Sequence, residues 1–156
     1  MSKVVETELP KNSLLTDRIN KSDFIDCYSV QSNLSTRQAA EIITNFPGWA
    51  SFLVKIRNAV VSKFGLLSDG PEASDKVGFF PVDSENDHEL IAGFNDKHLD
   101  FRISVMSKDG RVFLSTWVHP HNIGGKIYLK TILPFHVLIV RNALARVQRL
   151  NFSNSV

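Results

Sequence analysis

A single cysteine in 156 residues rules out an internal disulfide. It lies in DFIDCYSV, and a lone strand cysteine is ordinarily a small buried hydrophobe, so Cys27 points to a reducing, cytoplasmic setting. The opening segment MSKVVETELPKNS has no apolar h-region of a secretory signal, and the longest apolar-rich run, TILPFHVLIV at 131–140, is too short to cross a bilayer. A soluble chain without a membrane span is expected. Net charge is only +2, which argues against a nucleic-acid partner. No stretch looks like a nucleotide-binding glycine loop. Polar aromatics are scarce too: two Tyr and two Trp stand against eleven Phe. Rings without a polar handle suit a thick core or an apolar pocket.

What is present reads as one domain. Residues 1–22 are polar and of uncertain order, 23–150 carry the periodic segments, and 151–156 form a tail. DFIDCYSV is the first extended segment. QSNLSTRQAAEIITNF then predicts a helix, with Ser35 as cap, Gln38 in capping-box position, and Ala39, Ile42, Ile43 and Phe46 on one face. Pro47 and Gly48 end it. Trp49, Phe52, Leu53, Ile56, Val60 and Phe64 predict a second amphipathic helix. After the Gly/Pro/Asp-rich stretch GLLSDGPEASDKVG, four extended segments follow: VGFFPV, HELIAGF, HLDFRISVM and RVFLSTWVH. Asp-Gly in SKDGR marks a hairpin between the last two, and the short links throughout predict an antiparallel meander. From Lys126 to about Leu150 the pattern is helical again, apolar around most of its middle circumference and interrupted by Pro134.

The expected fold is therefore α+β: a curved antiparallel sheet gripping a long C-terminal helix, with two helices after the first strand. This order resembles the helix-grip fold of the START and plant pollen-allergen superfamily, with fewer strands than its fuller members. PGWASFLVKIRNAVVSKFGL, FPV, HLDFRISV, HPHNIGGKIYL and PFHVLIVRNAL resemble, more narrowly, a bacterial family catalogued as domain of unknown function 2867. Domains that it resembles also look to occur behind short-chain-dehydrogenase-like domains in longer proteins. The resemblance implies a helix-grip-like fold and no established activity.

Charge is unevenly spread. Between Asp69 and Asp100, nine acids (Asp69, Glu72, Asp75, Asp83, Glu85, Asp87, Glu89, Asp96, Asp100) face only Lys76 and Lys97. Beyond Asp100, eight bases face Asp109 alone. A contact between copies could join the two regions.

Within HLDFRISV, alternation puts His98, Asp100 and Arg102 opposite the apolar Leu99, Phe101, Ile103 and Val105. Their face is either the wet side of the sheet or a subunit contact, with Asp100 and Arg102 as an ion pair that could anchor an anion. In TWVHPHN, His119 and His121 are spaced i, i+2, but Pro120 intervenes and no third ligand is near, so no metal is expected. Acid/base work by His121 or His136 is the stronger chemistry, because imidazole titrates near neutrality. Gly124 and Gly125 before the last helix could offer N–H groups to an anion.

The function this supports is binding of a hydrophobic small molecule between sheet and C-terminal helix. Its ligand-binding candidates are Asp100, Arg102, Trp117, His119, His121, Tyr128 and His136, and no cofactor is expected. The alternatives are an enzyme using histidine acid/base chemistry in the same cavity, or a homodimeric interaction protein with a solid core.

Overall fold

The computed structural model describes residues 4–20, 23–44, 76–77, 80–95 and 99–154. The helix expected over 49–64 lies outside them. The described strands are β1 (Val5–Glu6), β2 (Phe24–Gln31), β3 (Lys76–Val77), β4 (Phe80–Glu85), β5 (Glu89–Asn95), β6 (Leu99–Lys108) and β7 (Arg111–Pro120), and the helices are α1 (Thr36–Thr44) and α2 (Ile123–Asn154). The sheet has the order β1-β2-β7-β6-β5-β4-β3, and its pairs are all antiparallel. The meander expected from the short links runs from β4 to β7, and VGFFPV, expected as one strand, is divided between β3 and β4, which pair antiparallel with Val77 opposite Phe80. β2 then closes onto β7 from the other end of the chain.

Local signals act where they stand. Ser35 Oγ accepts the Gln38 N–H at 3.2 Å while Gln38 Oε1 accepts the Ser35 N–H at 3.1 Å, so the capping box starts α1. Asp109 and Gly110 take φ of 54° and 75° in the β6–β7 hairpin, the left-handed pair that a tight two-residue turn requires. α2 begins earlier than its periodicity suggests. Asn122 Oδ1 accepts the Gly125 N–H at 3.0 Å, so the two glycines lie within the first turn and the asparagine caps it. The helix bends by 53° between Thr131 and Leu133, one residue before Pro134, whose ring and missing N–H disturb the preceding turn.

Alternation gives the sheet two faces. On the inner face, Tyr28, Val30, Leu90, Ala92, Ile103, Val105, Val112 and Leu114 meet Ala39, Ala40 and Ile43 of α1 and Val140, Ala143, Leu144 and Val147 of α2. Both helices therefore cover one side, as an antiparallel sheet needs. The outer face is not simply wet. Leu15, in a 3-10 turn at Leu14–Asp17, packs on Ile91 and Trp117, with Leu9, Ile19 and Ile25 around them. The N-terminal residues thus form a strap across the sheet.

That strap is tied by a buried carboxylate. Glu89 accepts hydrogen bonds from Ser13 Oγ at 2.6 Å, the Leu14 N–H at 2.8 Å and Ser104 Oγ. A second tie is Asp83, which accepts from Arg102 Nε at 3.2 Å and pairs with Arg18. No single helix among the described residues is long and apolar enough to cross a membrane. The two arms of α2 reach that length and composition only together.

Cys27 faces outward on β2 and is buried, and burial pushes its thiol up to about 11. At pH 8 only about one thiol in a thousand would be ionised. Native protein is therefore expected to resist a thiol reagent that labels it rapidly after urea unfolding; equal labelling rates in the two states would refute this placement.

Candidate ligand site

The sequence candidates separate onto the two faces. Asp100, Arg102, Trp117 and His119 sit at outer-face positions, as Asp100↔His119 and Arg102↔Trp117 cross-strand neighbours. His136 lies on α2 under the inner face. Tyr128 is in the same helix with its side chain outside the described residues, as is all of His98.

Outside, each histidine of TWVHPHN has its own carboxylate. His119 Nδ1 lies 2.5 Å from Asp23 Oδ1, and Trp117 Nε1 donates to Asp23 Oδ2 at 2.8 Å. Burial raises the Asp23 pKa, but the bonds from His119, the Asn20 N–H and Trp117 outweigh it and hold the carboxyl below its usual range. His121 Nε2 stands 3.0 Å from Asp100 Oδ1. The imidazoles of His119 and His121 meet edge to face, 5.6 Å between centroids. The expected Asp100–Arg102 pair is not formed: Arg102 turns to Asp83 and to the Phe101 carbonyl, at 2.7 Å from Nη1. These contacts brace the end of the sheet against Asp23 and the strap.

A different set forms inside. Phe24, Asp26, Tyr28 and Val30 alternate on the inner face of β2, and Val112, Leu114, Thr116 and Val118 do so on β7. Asp26 is directly opposite Thr116, close enough for the two side chains to share one ligand. From α2, just beyond the bend, His136 Nε2 reaches Asp26 Oδ2 at 2.9 Å. The ring is also set edge-on against Phe24, 6.0 Å between centroids. The Asp26 side chain is 10% exposed and Thr116 6%.

Two oxygens of this set are unsatisfied. Asp26 Oδ1 and Thr116 Oγ1 are buried with no hydrogen-bond partner among the described residues. Buried polar atoms are normally paired, and each orphan costs about 1–3 kcal/mol. Apolar groups surround them: Phe24 and Val118 are the next inner-face pair along the strands, and Ile103 is opposite Thr116 on β6. A carboxylate oxygen and a hydroxyl in apolar surroundings can hold a hydroxyl or amine at the end of an apolar molecule.

A separate pocket of about 210 Å³ opens on the outer face, lined by Asn12, Asn86, Asp87, His88, Glu89 and Met106. Its buried carboxylate, Glu89, is already committed to the strap.

Sequence reasoning did not single out Asp26 or Thr116. The signal was an acid and a hydroxyl each in step with the apolar members of its strand. Asp23 and Glu89 lacked any such signal, because their partners come from remote segments.

An open antiparallel sheet with helices on its inner face, and a polar cluster sunk in that face among the described residues, defines an α+β domain. Within that class, the chain belongs to the family described as protein of unknown function (DUF2867), whose family model matches residues 18–143. No curated protein and no solved structure matches the chain.

Proposed function

We propose that this protein is a binding module for a hydrophobic small molecule carrying one hydroxyl or amine, held between the inner face of the sheet and α2 in a helix-grip arrangement. The observation that carries the reading is the pair of orphaned oxygens, Asp26 Oδ1 and Thr116 Oγ1, beside His136. A fold gains nothing from burying them bare. A ligand that donates to Asp26 and exchanges a hydrogen bond with Thr116 removes the penalty, while its apolar body replaces water against Phe24, Val118 and Ile103.

Such a site trades stability for binding. Thr116→Val deletes the orphaned hydroxyl with little change of shape, so the ligand-free protein is expected to gain about 1 kcal/mol, or about 2–4 °C in Tm. The same variant should bind more weakly when the parent protein and Thr116→Val are compared by native mass spectrometry and thermal shift across an apolar alcohol and amine panel. A parent protein that binds none of the panel, together with a variant that loses stability, would sink the reading.

The Asp26–His136 pair supports a second reading, an enzyme in which the carboxylate fixes the imidazole for acid/base work. It differs in one result: His136→Ala would leave a bound compound in place and stop its conversion. A homodimer with a solid core would show neither binding nor conversion.

A further inference from the structure

We infer that the exposed side of α2 docks on an anionic lipid surface, with the helix lying in the plane of the interface. Of the seven large hydrophobic side chains exposed among the described residues, five stand on α2. Ile123, Ile127 and Leu138 are 73%, 52% and 67% exposed. Together with exposed Pro134, they fall as two pairs at four-residue spacing, Ile123 with Ile127 before the bend and Pro134 with Leu138 after it, so each arm of the helix presents an apolar stripe.

Charge selects the occupant. α2 carries Lys126, Lys130, Arg141, Arg146 and Arg149, and no acid in its 32 residues. Lys126 and Lys130 are exposed within a turn of Ile127. A second copy packed stripe to stripe about a two-fold axis would set these bases against one another, with no carboxylate on either helix to relieve them. A surface of anionic headgroups accepts the same pattern: the aliphatic stripe enters the headgroup boundary and the bases meet phosphate and carboxylate.

The helix lies on the surface and does not pass through it. Beyond the bend, its opposite side is committed to the core through Val140, Ala143, Leu144 and Val147. His136 holds the same side to Asp26 at 2.9 Å. The stripe and the inner-face site therefore occupy opposite sides of one helix, and the docking does not depend on what that site binds.

The full chain is floated with phosphatidylcholine vesicles, with and without phosphatidylserine. Binding to the serine-containing vesicles that weakens as salt rises is expected. The double variant Ile127→Glu with Leu138→Glu should abolish it at an unchanged thermal midpoint. Lys126→Glu with Lys130→Glu should lower the partition coefficient by at least about tenfold. Three results would overturn the inference. One is absence of binding to either vesicle; another is a dimer in sedimentation that the Ile127→Glu and Leu138→Glu changes dissolve. The third is a large drop in the midpoint of that variant, which would mean that the chain itself covers the stripe.

Discussion

Glu89→Ala is expected to lower the unfolding free energy by about 3–5 kcal/mol and to detach the N-terminal strap. Three donors converge on that carboxylate: Ser13 Oγ, the Leu14 N–H and Ser104 Oγ. Hydrogen bonds to a charged group are worth about 1.5–3 kcal/mol each, and donors left buried without a partner add their own cost. Without the carboxylate, Ser13 and Leu14 lose their shared acceptor and the strap lifts. Leu15, wholly buried against Ile91 and Trp117, would then be exposed as well. Urea denaturation gives the size of the effect, and limited proteolysis between Leu9 and Asn20 shows where it acts. Glu89→Gln keeps one acceptor oxygen and should fall between the parent and the alanine variant. An alanine variant with the parent's midpoint and protease resistance would show that the strap is held by its apolar contacts alone.

Gly93→Ala is the other change with a large expected effect, at least about 3 kcal/mol of destabilisation. Gly93 has φ of 142°, and a Cβ placed there would stand 2.3 Å from the Phe101 carbonyl oxygen and 3.0 Å from Arg102 Cα. Both obstacles are backbone of the neighbouring strand, so no rotamer change relieves the clash. The strands would have to part where β5 and β6 pair. Gly110 provides the contrast. Its φ is 75°, but the nearest atom to an added Cβ is Asn33 Oδ1 at 3.6 Å, so Gly110→Ala meets conformational strain without a collision. It should cost about 1 kcal/mol. Thermal melts of the two variants test the ranking, and equal midpoints would contradict it.

Much of the architecture was legible along the chain. Period-two alternation marked β6, extended segments marked β2 and β7, Ser35 and Gln38 marked the start of α1, and Asp109-Gly110 marked the hairpin. Each of these depends on residues within a few positions of one another. The apolar circumference of α2 predicted a helix surrounded on all sides, but the structure covers one side and leaves Ile123, Ile127, Phe135, Leu138 and Leu150 exposed; Pro134 announced its break. The site was legible only in outline. His136 was a sequence candidate, but its partner Asp26 is 110 positions away, and the alternation that places Asp26 on the inner face does not say which helix residue will stand over it.

The sequence by itself determined β2, β5, β6, β7, the two described helices and the antiparallel order of the meander, because backbone geometry and side-chain periodicity act locally. Only the tertiary structure decided which side of the sheet was covered by what. Pairing of β2 with β7 brings Asp26 opposite Thr116, the bend at Pro134 swings His136 onto them, and the strap turns the outer face from a wet surface into a second buried layer. Those contacts join segments remote along the chain, and no local pattern records them.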